Sequence, residues 1–480
     1  MTQRDEMTPE NTEFVILSFE GPDLYSMAGG LGVRVTNLSQ TLADLGFTVH
    51  LFFIGDPRFP GEESRCNGRL ILHRWCQWIS RYHPVGVYQG EYEKLYDYNE
   101  SLPGFLVDHI VKPAESQGRL TVVMGEDWHT AEAVCRVNDL LRVRHLRNRA
   151  ILFWNANNTF GFNQIDWPRL AGAATITTVS RYMKQIMLGM GLGVFVIPNG
   201  IPKALLADVD ESLTARLRES LDADLVLAKV ARWDPDKRWN MAVEATARLK
   251  GRGLKTVLLA RGGIEPHGGE VMHNALRLGL TVKEVHAAGD SLEDSMRAIE
   301  GNAGADVISI RSHCSQDFLR VVYRASDAVL ANSGHEPFGL VGLETMAAGG
   351  IAFTGDTGED YVLPFHNAIV LETSDPGEIE GYVLYLEAYP TLKENMRRAA
   401  RATAGLFTWG VSVDNLLQKL KYRARIQSLL GVPRRAAPSH VGARTLASAW
   451  AGRELRVEDE TPSASHATAA ERAAAGVDTG

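Results

Sequence analysis

The chain has 480 residues, 45% hydrophobic and 22% charged, with a formal net charge of −8. That length exceeds one ordinary core and predicts two or three domains. The composition is that of a globular protein, and the acidic balance argues against nucleic acid as the main partner. Four cysteines (Cys66, Cys76, Cys135 and Cys314) show no CxxC spacing, so neither a disulfide framework nor a structural zinc site is expected, and a reducing compartment is. No apolar run approaches membrane-spanning length and the N-terminus, MTQRDEMTPENTE, is polar. No integral membrane segment is expected, and the expected location is the cytoplasm.

Residues 14–54 read as a βαβ unit. Phe14–Phe19 is a continuous apolar run of the kind buried in a parallel sheet. Leu38, Leu42 and Leu45 fall at i, i+4 and i+7 and mark a helix; Gly46 ends it, and Phe47–Ile54 is the next strand. The loop before that helix holds Gly29, Gly30 and Gly32, so a ligand can approach its backbone closely. It is not the GxGxxG of dinucleotide binders, and the second strand ends without the acidic residue that would hold a ribose, which disfavours a dehydrogenase. From Arg58 to Gly118 the periodicity weakens while aromatics accumulate: Trp75, Trp78, Tyr82, Tyr88, Tyr92, Tyr96 and Tyr98. Core packing explains them better than sugar stacking does. A strand at Leu120–Met124 runs into Glu126, Asp127, Trp128 and His129 and then a helix, with an N-cap role open to Asp127. The basic run 142–149 reads as a solvated helix face rather than a membrane patch. Strands follow at Ile151–Asn155, Thr175–Val179 and Val194–Ile197; the glycine-rich 189–193 precedes a strand rather than opening a helix, so it is discounted as a nucleotide loop.

A second domain begins near residue 203, with a helix at Asp208–Asp224 and a strand at Leu225–Val230. Arg232 and Lys237 follow, five positions apart across a proline turn; two cations before a helix N-terminus suit a leaving diphosphate. Asp234-Pro235-Asp236 mimics a metal-binding DxD, but the adjacent cations make chelation the weaker reading. Lys255–Ala260 and Asp306–Ile310 are strands, Asp317–Ala325 a helix, and Val329–Asn332 a further strand. A helix is predicted to open at Pro337, with Glu336 at its mouth and Glu344 roughly 10 Å along its axis. Phe338, Gly339 and Leu340 place a glycine in the first turn, where amides meet an anion. Residues 352–360 form a second glycine loop before a helix, Ala368–Leu371 is a last strand, and Trp409–Leu430 is a long helix. From about Arg434 the composition reads as a disordered tail, with a transient helix near 446–456.

The stretch Glu336–Glu344, E-P-F-G-L-x-x-x-E with seven residues between the glutamates, resembles the signature of retaining nucleotide-sugar glycosyltransferases of the GT-B fold, a family that includes glycogen and starch synthases and sucrose synthase. The loop of Gly29, Gly30, Leu31 and Gly32 resembles the Gly-Gly-Leu-Gly loop of its glycogen-synthase-like members. Arg232 and Lys237 resemble the pair that holds the donor pyrophosphate. Residues 126–129 are similar to the family's His-Asp-Trp-His segment, with Glu126 where a histidine contacts the donor hexose.

The resemblance covers most of residues 14–430 and implies an α/β architecture of two Rossmann-like domains facing a cleft. Residues 1–202 would form the acceptor-side domain, 203–405 the nucleotide-sugar domain and 406–432 a helix crossing back to the first; 433–480 would be the tail. The implied reaction moves a hexosyl group from a donor such as UDP- or ADP-glucose to a hydroxyl of a carbohydrate or glycoconjugate acceptor, without a required cofactor or metal. In it Arg232 and Lys237 would stabilise the leaving diphosphate, and Glu336 would hold donor hydroxyls and support an oxocarbenium-like transition state. Glu344 would hold the ribose, while Gly29, Gly30, Gly32, Phe338, Gly339 and Leu340 would line the donor site. Asp127 and His129 keep their family positions. Glu126 is the departure: it sets a carboxylate beside the reacting sugar, as a double displacement requires, whereas the family view is same-face departure and attack. It also opens an alternative, a catalytically inactive nucleotide-sugar-binding protein. A phosphorylase or epimerase ranks lower.

Overall fold

The computed structural model describes residues 6–355 and 360–430. Expectations about the glycine loop at 356–359 and about the tail from 433 fall outside the described residues. Two sheets organise the chain. The first holds β1 Thr12–Leu17, β2 Thr48–Ile54, β3 Glu62–Arg65, β4 Leu70–Trp75, β5 Leu120–Glu126, β6 Ala150–Ala156, β7 Thr175–Thr178 and β8 Phe195–Val196. Their spatial order is β3-β4-β2-β1-β5-β6-β7-β8, all parallel except the β3–β4 pair at one edge. The second sheet holds β9 Leu225–Val230, β10 Thr256–Arg261, β11 Val282–Val285, β12 Val307–Ile310, β13 Ala328–Ala331, β14 Ala352–Thr354 and β15 Ile369–Val370. Its order is β11-β12-β10-β9-β13-β14-β15.

The apolar runs become central strands because both faces of a parallel sheet are covered by helices and every side chain along the strand is buried. All six residues of β1 are buried, as are all seven of β5 and of β6. Each sheet changes winding direction once, between β1 and β5 in the first and between β9 and β13 in the second. At such a switch point the loops leaving the carboxyl ends diverge to opposite faces and leave a crevice where ligands bind. The loops that follow these four strands are the glycine loop, 126–130, 231–238 and 332–339.

Residues 409–426 form the final helix, and its Trp409, Val413, Leu416, Leu420 and Ala424 share one core with Phe14, Val35, Leu38, Leu42 and Phe153 of the first domain. The C-terminal helix therefore crosses back and is built into the first domain. The other core of that domain continues into Phe338, Leu343 and Met346 of the second. Among the described residues no helix is long and apolar enough to cross a membrane. In the basic run, Arg147 is spent locally, donating to Asn138, to the Ala150 carbonyl at 3.0 Å and to the Ala173 carbonyl at 3.1 Å.

Three expectations shift. The helix that begins at Leu340 was placed three residues earlier, at Pro337; Gly339 is its N-cap with φ +79°, a left-handed conformation that separates Pro337 and Phe338 from the helix. Glu344 thus lies about 6 Å along the axis rather than 10. Residues 352–354, expected within a glycine loop, form β14, and the next helix among the described residues starts at Pro376. The stretch read as weakly periodic contains β3, β4 and the helix Glu91–Leu106.

Candidate functional site

Both switch points open onto one cavity of about 720 Å³, a volume typical of small-molecule sites. Its second-domain wall joins two loops distant in sequence. The Lys237 Nζ lies 3.0 Å from Glu336 Oε2, and the Ser333 hydroxyl donates to the same oxygen at 3.0 Å. Asp236 fastens the turn between them: its carbonyl accepts from the Gly334 amide at 2.7 Å and its carboxylate from the His335 amide at 3.1 Å. A Cβ on Gly334 would meet that carboxylate at 2.8 Å, so glycine permits the close approach. Arg232 is exposed at the cavity, anchored through its carbonyl, which accepts from the Trp239 indole at 2.8 Å. Beneath it Trp233 and Trp239 are buried with ring centroids 3.9 Å apart.

Phe338, Gly339 and Leu340 line the cavity at the mouth of the helix Leu340–Ala347. No side chain caps that helix, so its first amides remain available to an anion. Glu344 lies one turn further in, partly buried beside Tyr323 and outside the cavity lining. Burial pushes its carboxyl up to about 7, against the opposing effect of the Tyr323 hydroxyl. The arrangement thus groups Arg232, Lys237, Glu336 and Gly339, and sets Glu344 behind them.

Lys229 also lines this wall, a residue that sequence reasoning passed over. Its ammonium donates to the Leu330 carbonyl at 2.9 Å and to Asn332 Oδ1 at 2.6 Å, over the Trp239 ring. Burial, then the nearby charges of Lys237 and Arg238, pull it down to about 7. The signal was readable: a lysine inside the apolar strand LVLAKV is an anomaly that demands partners.

The first-domain wall joins two loops and a helix: Ala28–Leu31, Asn157–Phe160, and Tyr182, Met183 and Ile186, with Asn199 between the domains. The glycine loop is shaped from behind by Glu20, whose Oε2 accepts from the amides of Ala28 at 3.1 Å, Gly29 at 2.9 Å and Gly32 at 3.0 Å. Its other oxygen accepts from the Tyr88 hydroxyl at 2.6 Å. Glu20 was not anticipated, because a loop clasp by a side chain eight to twelve residues away leaves no local pattern.

Glu126, Asp127 and His129 lie outside the cavity lining. The Glu126 side chain is fully buried and its Oε2 receives three donors: Arg34 Nε at 2.9 Å, Asn155 Nδ2 at 3.0 Å and Asn157 Nδ2 at 2.9 Å. Arg34, from the helix behind the glycine loop, also donates to Asn199 Oδ1 at 2.5 Å. Asp127 has φ +60° and accepts from the Asn157 amide at 2.8 Å and from Asn158 Nδ2 at 3.1 Å. Burial pushes its carboxyl up to about 7; the Asn157 amide opposes this and the Glu126 and Glu20 charges add to it. His129 stacks on Phe19 and pairs with Glu91 at 2.7 Å; burial lowers its pKa despite that carboxylate. The two acidic residues therefore hold the asparagines that face the cavity. Among the described residues no group of three or more His, Cys, Asp or Glu side chains is disposed to hold a metal.

Comparison with known proteins bears on this arrangement. The family "Glycosyl transferases group 1" matches residues 216–403, a span that includes Lys229, Arg232, Lys237, Glu336 and Glu344. D-inositol 3-phosphate glycosyltransferase of Segniliparus rotundus is 29% identical over 430 residues, covering 85% of this chain and 87% of its own. Among solved structures, the sucrose-phosphate synthase of Thermosynechococcus elongatus superposes with a TM-score of 0.63 at 18% identity over 87% of this chain and 99% of that one. Anabaena HepE, solved in complex with UDP-glucose, does so with a TM-score of 0.56 at 15% identity over 85% and 99%. These structural likenesses carry the GT-B fold, and the family match is confined to residues 216–403, in the second domain.

Proposed function

We propose that the chain transfers a hexosyl group from a nucleoside diphosphate sugar to an acceptor hydroxyl with retention of anomeric configuration. The observation that carries this reading is the meeting of Lys237 and Glu336 at 3.0 Å on the cavity wall, with Arg232 beside them and an uncapped helix mouth below. The ammonium and the carboxylate satisfy each other. An entering diphosphate draws Lys237 and Arg232 onto its oxygens, where charge accumulates as the glycosidic bond breaks. Glu336, freed from its partner and steadied by Ser333, then accepts hydrogen bonds from donor hydroxyls and faces the positive charge growing on the sugar ring.

Same-face departure and attack is the route this geometry favours. Glu126, the carboxylate that a double displacement would recruit, is tied to Arg34, Asn155 and Asn157 behind the wall. Mass spectrometry of quenched turnover is expected to find no glycosylated Glu126; a trapped adduct there would overturn the same-face route.

Thermal unfolding with UDP, ADP, GDP and NAD tests the reading. A ligand at about 100 times its dissociation constant adds roughly 2.7 kcal/mol to the folded state. A shift with one nucleoside diphosphate, lost in Lys237→Ala, supports it; no diphosphate shift, or a shift with NAD alone, refutes it.

A further inference from the structure

Two first-domain segments that line the cavity, the glycine loop and Asn157–Phe160, have carboxylates directly behind them; Tyr182, Met183 and Ile186 complete the wall, and Asn199 meets Arg34. Glu20 holds the amides of Ala28, Gly29 and Gly32. Glu126 and Asp127 hold Asn157 and Asn158. Glu91 lies behind them on His129. Against these four carboxylates stands one buried guanidinium, Arg34, already engaged by Glu126 and Asn199. Among the described residues no lysine or arginine side chain lines this wall, whereas Lys229, Arg232 and Lys237 all line the opposite one. Arg181, next to the lining Tyr182, is exposed at the start of its helix, where Asp360 of the second domain accepts from its amide at 3.0 Å. The cavity is therefore polarised, cationic on the nucleotide side and backed by negative charge on the other.

The geometry points to an uncharged polyol or sugar as the acceptor, not a phosphate ester. This rests on the transferase reading above and deepens it. A phosphate dianion placed against the asparagine wall finds no cation to pair with and several carboxylates to repel it through a low-dielectric layer. A neutral polyol finds what it needs: the second hydrogens of the Asn157 and Asn158 amides, whose first hydrogens go to Glu126 and Asp127, and the backbone of the glycine loop. The names of similar proteins point elsewhere, to inositol 3-phosphate and sucrose phosphate, but their identities of 29% and 18% leave the acceptor wall free to differ.

The test measures nucleoside diphosphate release by the full chain from UDP-glucose or ADP-glucose, whichever nucleotide stabilises it against unfolding. Paired acceptors are compared: glucose with glucose 6-phosphate, fructose with fructose 6-phosphate, myo-inositol with inositol 3-phosphate. In every pair that reacts, kcat/KM for the uncharged member is expected to exceed that of its phosphate by about tenfold or more, equivalent to about 1.4 kcal/mol. Asp127→Asn, which removes charge and keeps an acceptor for the Asn157 amide, should narrow the ratio. A phosphate ester outpacing its parent overturns the proposal, as does nucleotide binding without stimulation by any uncharged member. Absence of nucleotide binding would be a separate result, sinking the donor-site reading first and this one with it.

Discussion

Replacing Arg34 by methionine isolates the buried pair that it forms with Glu126. The Arg34 and Glu126 side chains are 1% and 0% exposed and meet at 2.9 Å. Methionine fills much of the space of the arginine stem and keeps the contact with Trp409, over which the guanidinium now sits at 5.9 Å. It leaves Glu126 a buried anion with only the Asn155 and Asn157 amides on it. Removing one partner of a buried pair is expected to destabilise by about 3–5 kcal/mol, since the remaining charge is desolvated and uncompensated. For a domain of some 200 residues each kcal/mol moves the midpoint by about 2–4 °C, so the first domain should melt roughly 10 °C lower. Adding Glu126→Gln in the same chain removes the stranded charge and should restore part of that loss. The assay is a double-mutant cycle by thermal or urea unfolding. A loss below about 1 kcal/mol for Arg34→Met, or no recovery in the double variant, would refute the argument that Arg34 compensates the buried Glu126 charge.

Lys237→Ala should weaken nucleoside diphosphate binding by about 10- to 100-fold, the worth of a charge-assisted hydrogen bond, as read by titration calorimetry. Gly262→Ala would drive a Cβ to 2.0 Å from Trp233; the second domain should lose about 1–3 kcal/mol in denaturant unfolding, and nucleotide affinity should fall with it as the 232–237 loop shifts. Lys229 has a folded pKa of about 7 against 10.5 when solvated, so its contribution to stability is present above the solvated value and lost as pH falls through about 7. Unfolding followed between about pH 10 and 7 should show the natural chain losing stability relative to Lys229→Met; parallel curves would place its ammonium in solvent contact.

The βαβ beginning and the strand Leu225–Val230 were legible because their physics is local: buried parallel strands are continuous apolar runs. What escaped was non-local. β4 carries His73 and Arg74 in buried positions, and Arg74 is acceptable there only because Asp23, 51 residues away, takes two of its donors. The same holds at the site. Arg232, Lys237 and Glu336 could be read as residues, but their assembly depends on Asp236 bridging to Gly334 and His335. Arg34 could not be read at all: its value lies in a partner 92 positions on. Pro337 misled because proline near a helix start is a statistical marker, while the left-handed Gly339 is what sets the first turn.

The chain passes between its two domains at Ile201 and again at Thr408, and the two passages lie side by side. Ile201 donates to the Phe407 carbonyl at 2.9 Å and accepts from the Trp409 amide at 3.1 Å. A Cβ on Gly200 would strike the Trp409 backbone nitrogen at 2.5 Å, so the crossings are in intimate contact. Because the final helix is built into the first domain, the second domain is tethered at both its ends to one body, like a door hung on a single pair of pins. Any movement of the second domain against the first must therefore bend both crossings together.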